Sequence, residues 1–228
     1  RKVCQPLNKG EKEGGIVRCR AGGRDLELYA RGMRNPWDMC MDSGFNWLAT
    51  DNDPGPPADR IFMPIRHGHY SMRHPWKFDW MGKHPAVAPS SDLFPSVSGS
   101  GTGVVFYTSE HFPEEYRNRH LIADWTNNCI FLYKPKWKGA LQVPAEEKRK
   151  IIDGGVTQAG DLGYKGAKGR SLFRPTDIEV GPDGALYIAG WGSVYGTEYV
   201  SKEKWTAEES AKYQGRVFRL RHERPLIA

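Results

Sequence analysis

The feature that most constrains this fold is a repeated unit of strand, tight turn, strand and polar exit. One copy starts a strand at Arg34-Asn35-Pro36 and leaves the next strand at Thr50-Asp51-Asn52-Asp53-Pro54. A second copy reads Arg174-Pro175-Thr176-Asp177, then the turn Gly181-Pro182-Asp183-Gly184 and the strand Ala185-Leu186-Tyr187-Ile188-Ala189. Pro-Asp-Gly is typical of a tight turn between strands. Short strands repeated in this way predict a β-propeller, in which each sheet is one blade.

The spacing of the units predicts how many blades the chain contains. Units begin near Arg34, Thr102 and Arg174, which predicts about three four-stranded blades. A strand around Gly68–Tyr70 is expected to close the first unit, and residues 14–30 predict a leading hairpin. The 26 glycines and 16 prolines agree with an all-β chain that has many turns.

One helix is expected within the β-structure. Thr206 is placed as an N-cap with Glu209 three residues later, so residues 202–213 predict a short inserted helix. We expect a single propeller-type domain over residues 1–228. Because propellers use about four to eight blades, it is either part of a larger propeller, incomplete at its N-terminus, or a reduced one.

The charge of the chain limits its partners. The net charge is +6, from 33 Lys and Arg against 27 Asp and Glu, with small basic clusters at Lys134–Lys138, Glu146–Lys150 and Arg216–Arg224. A solvated surface is the simplest interpretation, and docking to an acidic protein or an anionic membrane face is the alternative. No basic helix or stacking-aromatic motif accompanies the charge, which argues against nucleic acid. No apolar run is long enough to span a bilayer.

Cysteines and histidines give weaker signals. The cysteines form no CxxC pair, which excludes a zinc ribbon and c-type haem attachment: Cys4, Cys19, Cys40 and Cys129. Cys4 and Cys19 are the pair to test for a disulfide, although an isolated cysteine is often a small buried hydrophobe. His67 and His69 with His74 could form a metal cluster. Turn histidines are favoured, because no acidic ligand is close in sequence.

On these motifs the chain resembles the soluble glucose dehydrogenase and sorbosone dehydrogenase family. The matching segments also include Phe112–Asn118 and Gly215–Leu220. The resemblance implies a six-bladed propeller type that binds pyrroloquinoline quinone (PQQ) and calcium. It also implies an exported, periplasmic location in a bacterium.

The resemblance implies roles for five residues. In that family an Arg-Asn pair contacts the quinone, which corresponds to Arg34 and Asn35, and Arg174 matches another cofactor-facing arginine. A guanidinium fork and an amide suit a planar anion with several acceptor oxygens. The carbonyls that bind calcium correspond to Asp53 and Pro54, and a turn fixed by proline presents carbonyls rigidly.

The chain also departs from the family pattern. The family's catalytic histidine lies in an earlier blade, so no catalytic residue is expected within this chain. Where the family has a glycine in its calcium-binding turn, this chain has Asp53. Where the family has a second arginine, this chain has Thr176.

Three functional hypotheses follow. The first is a non-catalytic or degenerate member that serves as an interaction or structural subunit of a periplasmic assembly, with other protein subunits, acidic or membrane-associated, as partners. The second is a fragment of an active PQQ- and calcium-dependent aldose-type dehydrogenase. The third is a carbohydrate-binding propeller that uses exposed aromatic side chains.

Overall fold

The structure is a computed structural model that describes residues 14–52, 59–70, 88, 90–94, 101–154, 173–191 and 215–225. Within these residues the chain is all-β, apart from one 3-10 turn at Glu114–Tyr116. The strands are β1 Gly14–Arg18, β2 Glu27–Met33, β3 Pro36–Met41, β4 Trp47–Asp51, β5 Arg60–Phe62, β6 Asp92–Leu93, β7 Gly101–Tyr107, β8 Arg119–Asp124, β9 Cys129–Tyr133, β10 Pro135–Lys138, β11 Leu141–Pro144, β12 Arg149–Asp153, β13 Pro175–Val180, β14 Leu186–Gly190 and β15 Arg216–Leu220. Among the described residues, no helix is long and apolar enough to cross a membrane.

The strands form three antiparallel blades and two hairpins. Blade 1 has the order β3-β4-β5-β6, blade 2 has β7-β8-β9-β12, and blade 3 has β13-β14-β15. The leading hairpin is β1-β2, and a side hairpin, β10-β11, stands between β9 and β12 of blade 2. The predicted partial propeller of three blades with a leading hairpin is therefore confirmed, although blade 3 has three strands within the described residues where four were predicted.

One predicted strand pairs elsewhere. The segment Gly68–Tyr70 does not close blade 1, because β6 is the fourth strand there. Instead it runs along the leading hairpin, where Arg31 N donates to Gly68 O at 3.0 Å and Tyr70 N donates to Arg31 O at 2.9 Å. The predicted helix at 202–213 lies outside the described residues.

Two apolar cores hold the blades together, and blade 2 contributes to both. Leu121 and Ile130 pack in the core shared with blade 3, whereas their neighbours Ile122 and Phe131 pack in the core shared with blade 1. Successive side chains of a strand point to opposite faces, so a strand between two blades is apolar at every position. This explains why β9 is buried along its whole length.

The inner strands β3, β7 and β13 lie next to one another. A Cβ added at Gly103 would lie 2.6 Å from the Cα of Asp177, so β7 and β13 approach more closely than any side chain would allow. On the other side of β7, Val104 N donates to the Asp38 carboxylate of β3 at 2.8 Å.

The blades therefore have two shared ends. The end where the inner strands begin is called the upper end, and it contains Arg34, Asp51, Gly101, Asp124, Arg174 and Gly190. The opposite end, called the lower end, contains the turns and loops 42–46, 108–118 and 181–184. Because neighbouring strands are antiparallel, each second strand ends where its inner strand begins.

Candidate functional site

The Arg34-Asn35 turn is fixed by the carboxylate of Asp51. Asp51 is fully buried at the end of β4, and its Oδ1 accepts hydrogen bonds from Asn35 N at 2.8 Å and Arg34 N at 3.2 Å. The following residue, Asn52, donates its N–H to Asn35 O at 3.1 Å. Asp51 and Asn52 thus fix the backbone just before β3. This backbone in turn sets the direction in which the Arg34 and Asn35 side chains leave the chain.

Asp51 is in turn paired with Arg60, which is also fully buried. Asp51 Oδ2 accepts from Arg60 Nη2 at 2.7 Å and from Nε at 3.0 Å. Arg60 Nη1 donates to Tyr70 O at 2.7 Å, and Nη2 to Gly32 O at 3.3 Å. A buried ion pair is tolerated when the remaining donors are satisfied in this way. The pair joins blade 1 to the leading hairpin.

The side chains of Arg34 and Asn35 are exposed to solvent at the upper end. Arg34 Nη1 donates to the backbone and side-chain oxygens of Asn52, both at 3.1 Å. Within the described residues, neither Nε nor Nη2 of Arg34 nor the Asn35 amide has a hydrogen-bond partner. A rigid turn that directs spare donors outward suits a ligand with carboxylate or carbonyl oxygens.

Arg174, which was predicted to face the cofactor, is buried at the upper end. It is only 2% exposed, and its Cζ lies 4.6 Å from the ring centroid of Trp125, the residue after β8. Its carbonyl accepts from Trp191 N at 2.9 Å. Arg174 therefore stacks inside the upper end between blades 2 and 3 rather than extending into solvent with Arg34.

A chain of hydrogen bonds joins the starts of the inner strands. Thr50 Oγ1 donates to Thr102 O at 2.6 Å, and Thr102 Oγ1 donates to Pro175 O at 2.7 Å. Trp37 Nε1 donates to Thr176 O at 2.8 Å. The two threonines were not predicted as site residues, although both lie at the upper end of adjacent blades. Their role is to place the Arg34 turn and the Arg174 segment at one end of the molecule.

Carboxylates line the inner strands below this end. Burial raises the pKa of Asp38, and the nearby charge of Asp177 raises it further. Burial likewise raises the pKa of Glu179, with additional contributions from Asp177 and Asp38. No group of three or more His, Cys, Asp or Glu side chains within the described residues is arranged to hold a metal ion.

Other predicted residues lie outside the described residues or away from this end of the molecule. Asp53, Pro54, Cys4 and His74 lie outside the described residues. His69 packs on the leading hairpin, since a Cβ added at Gly32 would lie 2.7 Å from its Nδ1. Among the described cysteines, Cys19, Cys40 and Cys129 are free thiols.

Solved structures share this fold. A putative oxidoreductase (glucose dehydrogenase) from Thermus thermophilus matches with a TM-score of 0.58 and 16% identity, over 88% of this chain and 49% of that one. The PQQ-bound form of aldose sugar dehydrogenase from Streptomyces coelicolor matches with a TM-score of 0.56 and 13% identity, over 91% and 52%. A glucose dehydrogenase structure matches with a TM-score of 0.53 and 15% identity, over 89% and 49%.

These comparisons confirm the predicted resemblance to sugar dehydrogenase propellers at the level of the fold. The chain spans about half the length of the structures it matches. A comparison with curated protein sequences gave no match. A sequence profile described as a domain of unknown function, DUF7133, matches residues 2–224, so the chain belongs to this family.

Proposed function

We propose that this chain is the cofactor-holding portion of a PQQ-dependent, sugar dehydrogenase-like propeller in an exported bacterial protein. The observation that carries the proposal is the Arg34-Asn35 turn, which Asp51 holds rigid while the Arg34 and Asn35 side chains keep spare donors in solvent. Support comes from the shared fold, since one structure with this fold is the PQQ-bound form of an aldose sugar dehydrogenase.

The described residues fit such a cofactor. PQQ is a planar quinone with three carboxylates, and it would be held by the Arg34 guanidinium and the Asn35 amide through charge-assisted and neutral hydrogen bonds. Arg174 would support the site from inside by stacking on Trp125. When bound, PQQ supplies the two-electron acceptor for oxidation of a sugar hydroxyl. Calcium is proposed on the backbone carbonyls of Asp53 and Pro54.

The proposal predicts that PQQ raises the melting temperature of the protein when calcium is present. A ligand at 100 times its Kd stabilises the folded state by about 2.7 kcal/mol, which scanning calorimetry detects as a higher Tm. Arg34→Ala should lose most of this rise, because it removes the charged donor. Arg24→Ala is the matched control, since Arg24 is equally an exposed arginine but lies in the turn of the leading hairpin. A parent protein whose Tm does not respond to PQQ would contradict the proposal.

A second candidate function is that of an interaction subunit without chemistry of its own. It is favoured by the inner strand of blade 1, where the exposed side chains alternate as Trp37, Met39 and Met41. Such an apolar stripe on an inner strand suits contact with another propeller segment or subunit. Met39→Glu should then release a partner that co-purifies with the parent protein. If the complex survives this substitution, the stripe is not its interface.

A further inference from the structure

Asn52 contacts both members of the Arg34-Asn35 pair. The pairing of β3 with β4 ends at Asp51, and the hydrogen bond from Asn52 N to Asn35 O at 3.1 Å continues that pairing by one residue. Because Asp51 is buried and paired with Arg60, the chain enters Asn52 in a fixed direction. The position of Asn52 is therefore set by the end of the sheet.

Two oxygens of Asn52 accept hydrogen bonds from a single nitrogen of Arg34. Arg34 Nη1 lies 3.1 Å from the backbone oxygen of Asn52 and 3.1 Å from its Oδ1. A guanidinium has five N–H groups, and two of them are on Nη1. One N–H for each oxygen uses Nη1 completely, so the guanidinium of Arg34 is held at this atom.

The three remaining N–H groups of Arg34 are on Nε and Nη2, the two nitrogens of one edge of the guanidinium. Neither nitrogen has a hydrogen-bond partner within the described residues. Such an edge can bind a carboxylate with two parallel hydrogen bonds. Arg60 uses the same two nitrogens, since its Nε and Nη2 lie 3.0 and 2.7 Å from the Asp51 carboxylate. Holding Arg34 by Nη1 therefore leaves a carboxylate-binding edge open.

The neutral amide of Asn52 leaves the charge of Arg34 uncompensated. Arg34 has no ion-pair partner in the part of the chain that the structure describes, and Asp51, which accepts from its backbone N–H, is paired with Arg60. A carboxylate at position 52 would pair with the guanidinium and compete with an anionic ligand for it. The amide supplies the same acceptor oxygen without that charge. Asn52 can therefore orient Arg34 without neutralising it.

We propose that Asn52 is a positioning residue of the Arg34 site: it holds Arg34 by Nη1, so that the Nε–Nη2 edge meets a carboxylate of the bound ligand. The identity of that ligand, PQQ, rests on the proposed function, whereas the hold of Asn52 on Arg34 does not. A side chain that is ordered before the ligand arrives loses less conformational entropy on binding, which increases affinity. Asn52 itself needs no contact with the ligand.

The side-chain motion of Arg34 tests this hold without any ligand. NMR relaxation of the Arg34 Nε–Hε group, assigned with Arg34→Lys, should give an order parameter close to that of a rigid backbone, about 0.85. In Asn52→Ala it should fall below about 0.6, because only the backbone oxygen remains to hold Nη1. Asn52→Asp should restore the order, since its carboxylate also accepts from Nη1. Asn46→Ala is the matched control, because the Asn46 side chain binds Asp42 at the lower end of the same blade.

Titration calorimetry with PQQ in the presence of calcium tests the consequence for binding. Asn52→Ala should raise the Kd about fivefold, because a hydrogen bond that orients a charged group is lost. Asn52→Asp should raise the Kd about tenfold or more although Arg34 stays ordered, because its charge is then paired within the protein. Asn46→Ala should bind PQQ as the parent does. Melting temperatures without ligand would show that every variant is folded.

Two results would overturn the proposal. One is an Arg34 Nε–Hε group that is as mobile in the parent as in Asn52→Ala. The other is an equal Kd for the parent and both Asn52 variants while Arg34→Ala loses binding, which would leave the proposed function intact and remove only the role of Asn52. A parent protein that does not bind PQQ contradicts the proposed function instead, and the order parameters then decide whether Asn52 holds Arg34.

Discussion

Blades 1 and 2 both end their second strand in a fully buried aspartate, yet the two carboxylates have different roles. Asp51 accepts from backbone groups 16 and 17 residues away and from Arg60, so it organises the start of β3. Asp124 accepts from the backbone and side chain of Asn127, at 3.0 and 2.7 Å, so it shapes the turn that follows it. At this repeated blade position the residue type is the same, and among the described residues Asp51 accepts from groups far along the chain, while Asn127, which binds Asp124, lies in the adjacent turn.

The largest expected effect comes from breaking the Asp51–Arg60 pair. Arg60→Ala leaves the Asp51 charge buried without its partner, so the free energy of unfolding should fall by about 3–5 kcal/mol in urea denaturation. Arg18→Ala is the control, because the Arg18–Glu27 pair is exposed and should contribute about 1 kcal/mol or less. Equal losses for the two variants would show that Arg60 does not organise the upper end.

The next test compares the paired charges of Asp51 and Arg60 at the upper end with a buried histidine at the lower end, His120. His120 is fully buried beside Tyr133, and burial lowers its pKa to about 4, against the opposing effect of Asp42. Between about pH 6.5 and 4 the unfolded chain binds more protons than the folded one. The contribution of His120 to the free energy of unfolding should therefore be constant above pH 7 and fall by about 3 kcal/mol as the pH drops to 4.

The control for this prediction is His120→Phe, which keeps an aromatic ring next to Tyr133. The variant should have a smaller loss of unfolding free energy between pH 6.5 and 4 in the same denaturation series. A pH profile identical to that of the parent would mean that His120 does not titrate differently in the folded state.

The smallest effect is expected for the aspartate of blade 2. Asp124→Asn keeps the shape and one acceptor oxygen, and its hydrogen bonds to Asn127 belong to the adjacent turn. It should cost about 1–3 kcal/mol in unfolding free energy. Asp51→Asn should cost more, because it also weakens a buried ion pair. A larger loss for Asp124→Asn would reverse the contrast between the two blades.

The local features of this fold could be predicted from sequence, whereas long-range partners could not. Turns such as Gly181–Gly184 and the inner strands are encoded by neighbouring residues, so the three blades and the leading hairpin were predicted correctly. Asp51 was placed at the exit of a strand, but its pairing with Arg60 depends on how two strands meet. The pairing of Gly68–Tyr70 with the leading hairpin, and the burial of Arg174 against Trp125, were missed for the same reason.

The strands β8 and β9, whose side chains alternate between two cores, limit how this chain can vary in length. A single residue inserted or deleted within β8 would disturb both cores at once, because every later side chain of that strand would change face. Changes in length are therefore tolerated only in the connections between strands. The side hairpin occupies such a connection, between β9 and β12, so it is a place where a surface can be added without disturbing either core.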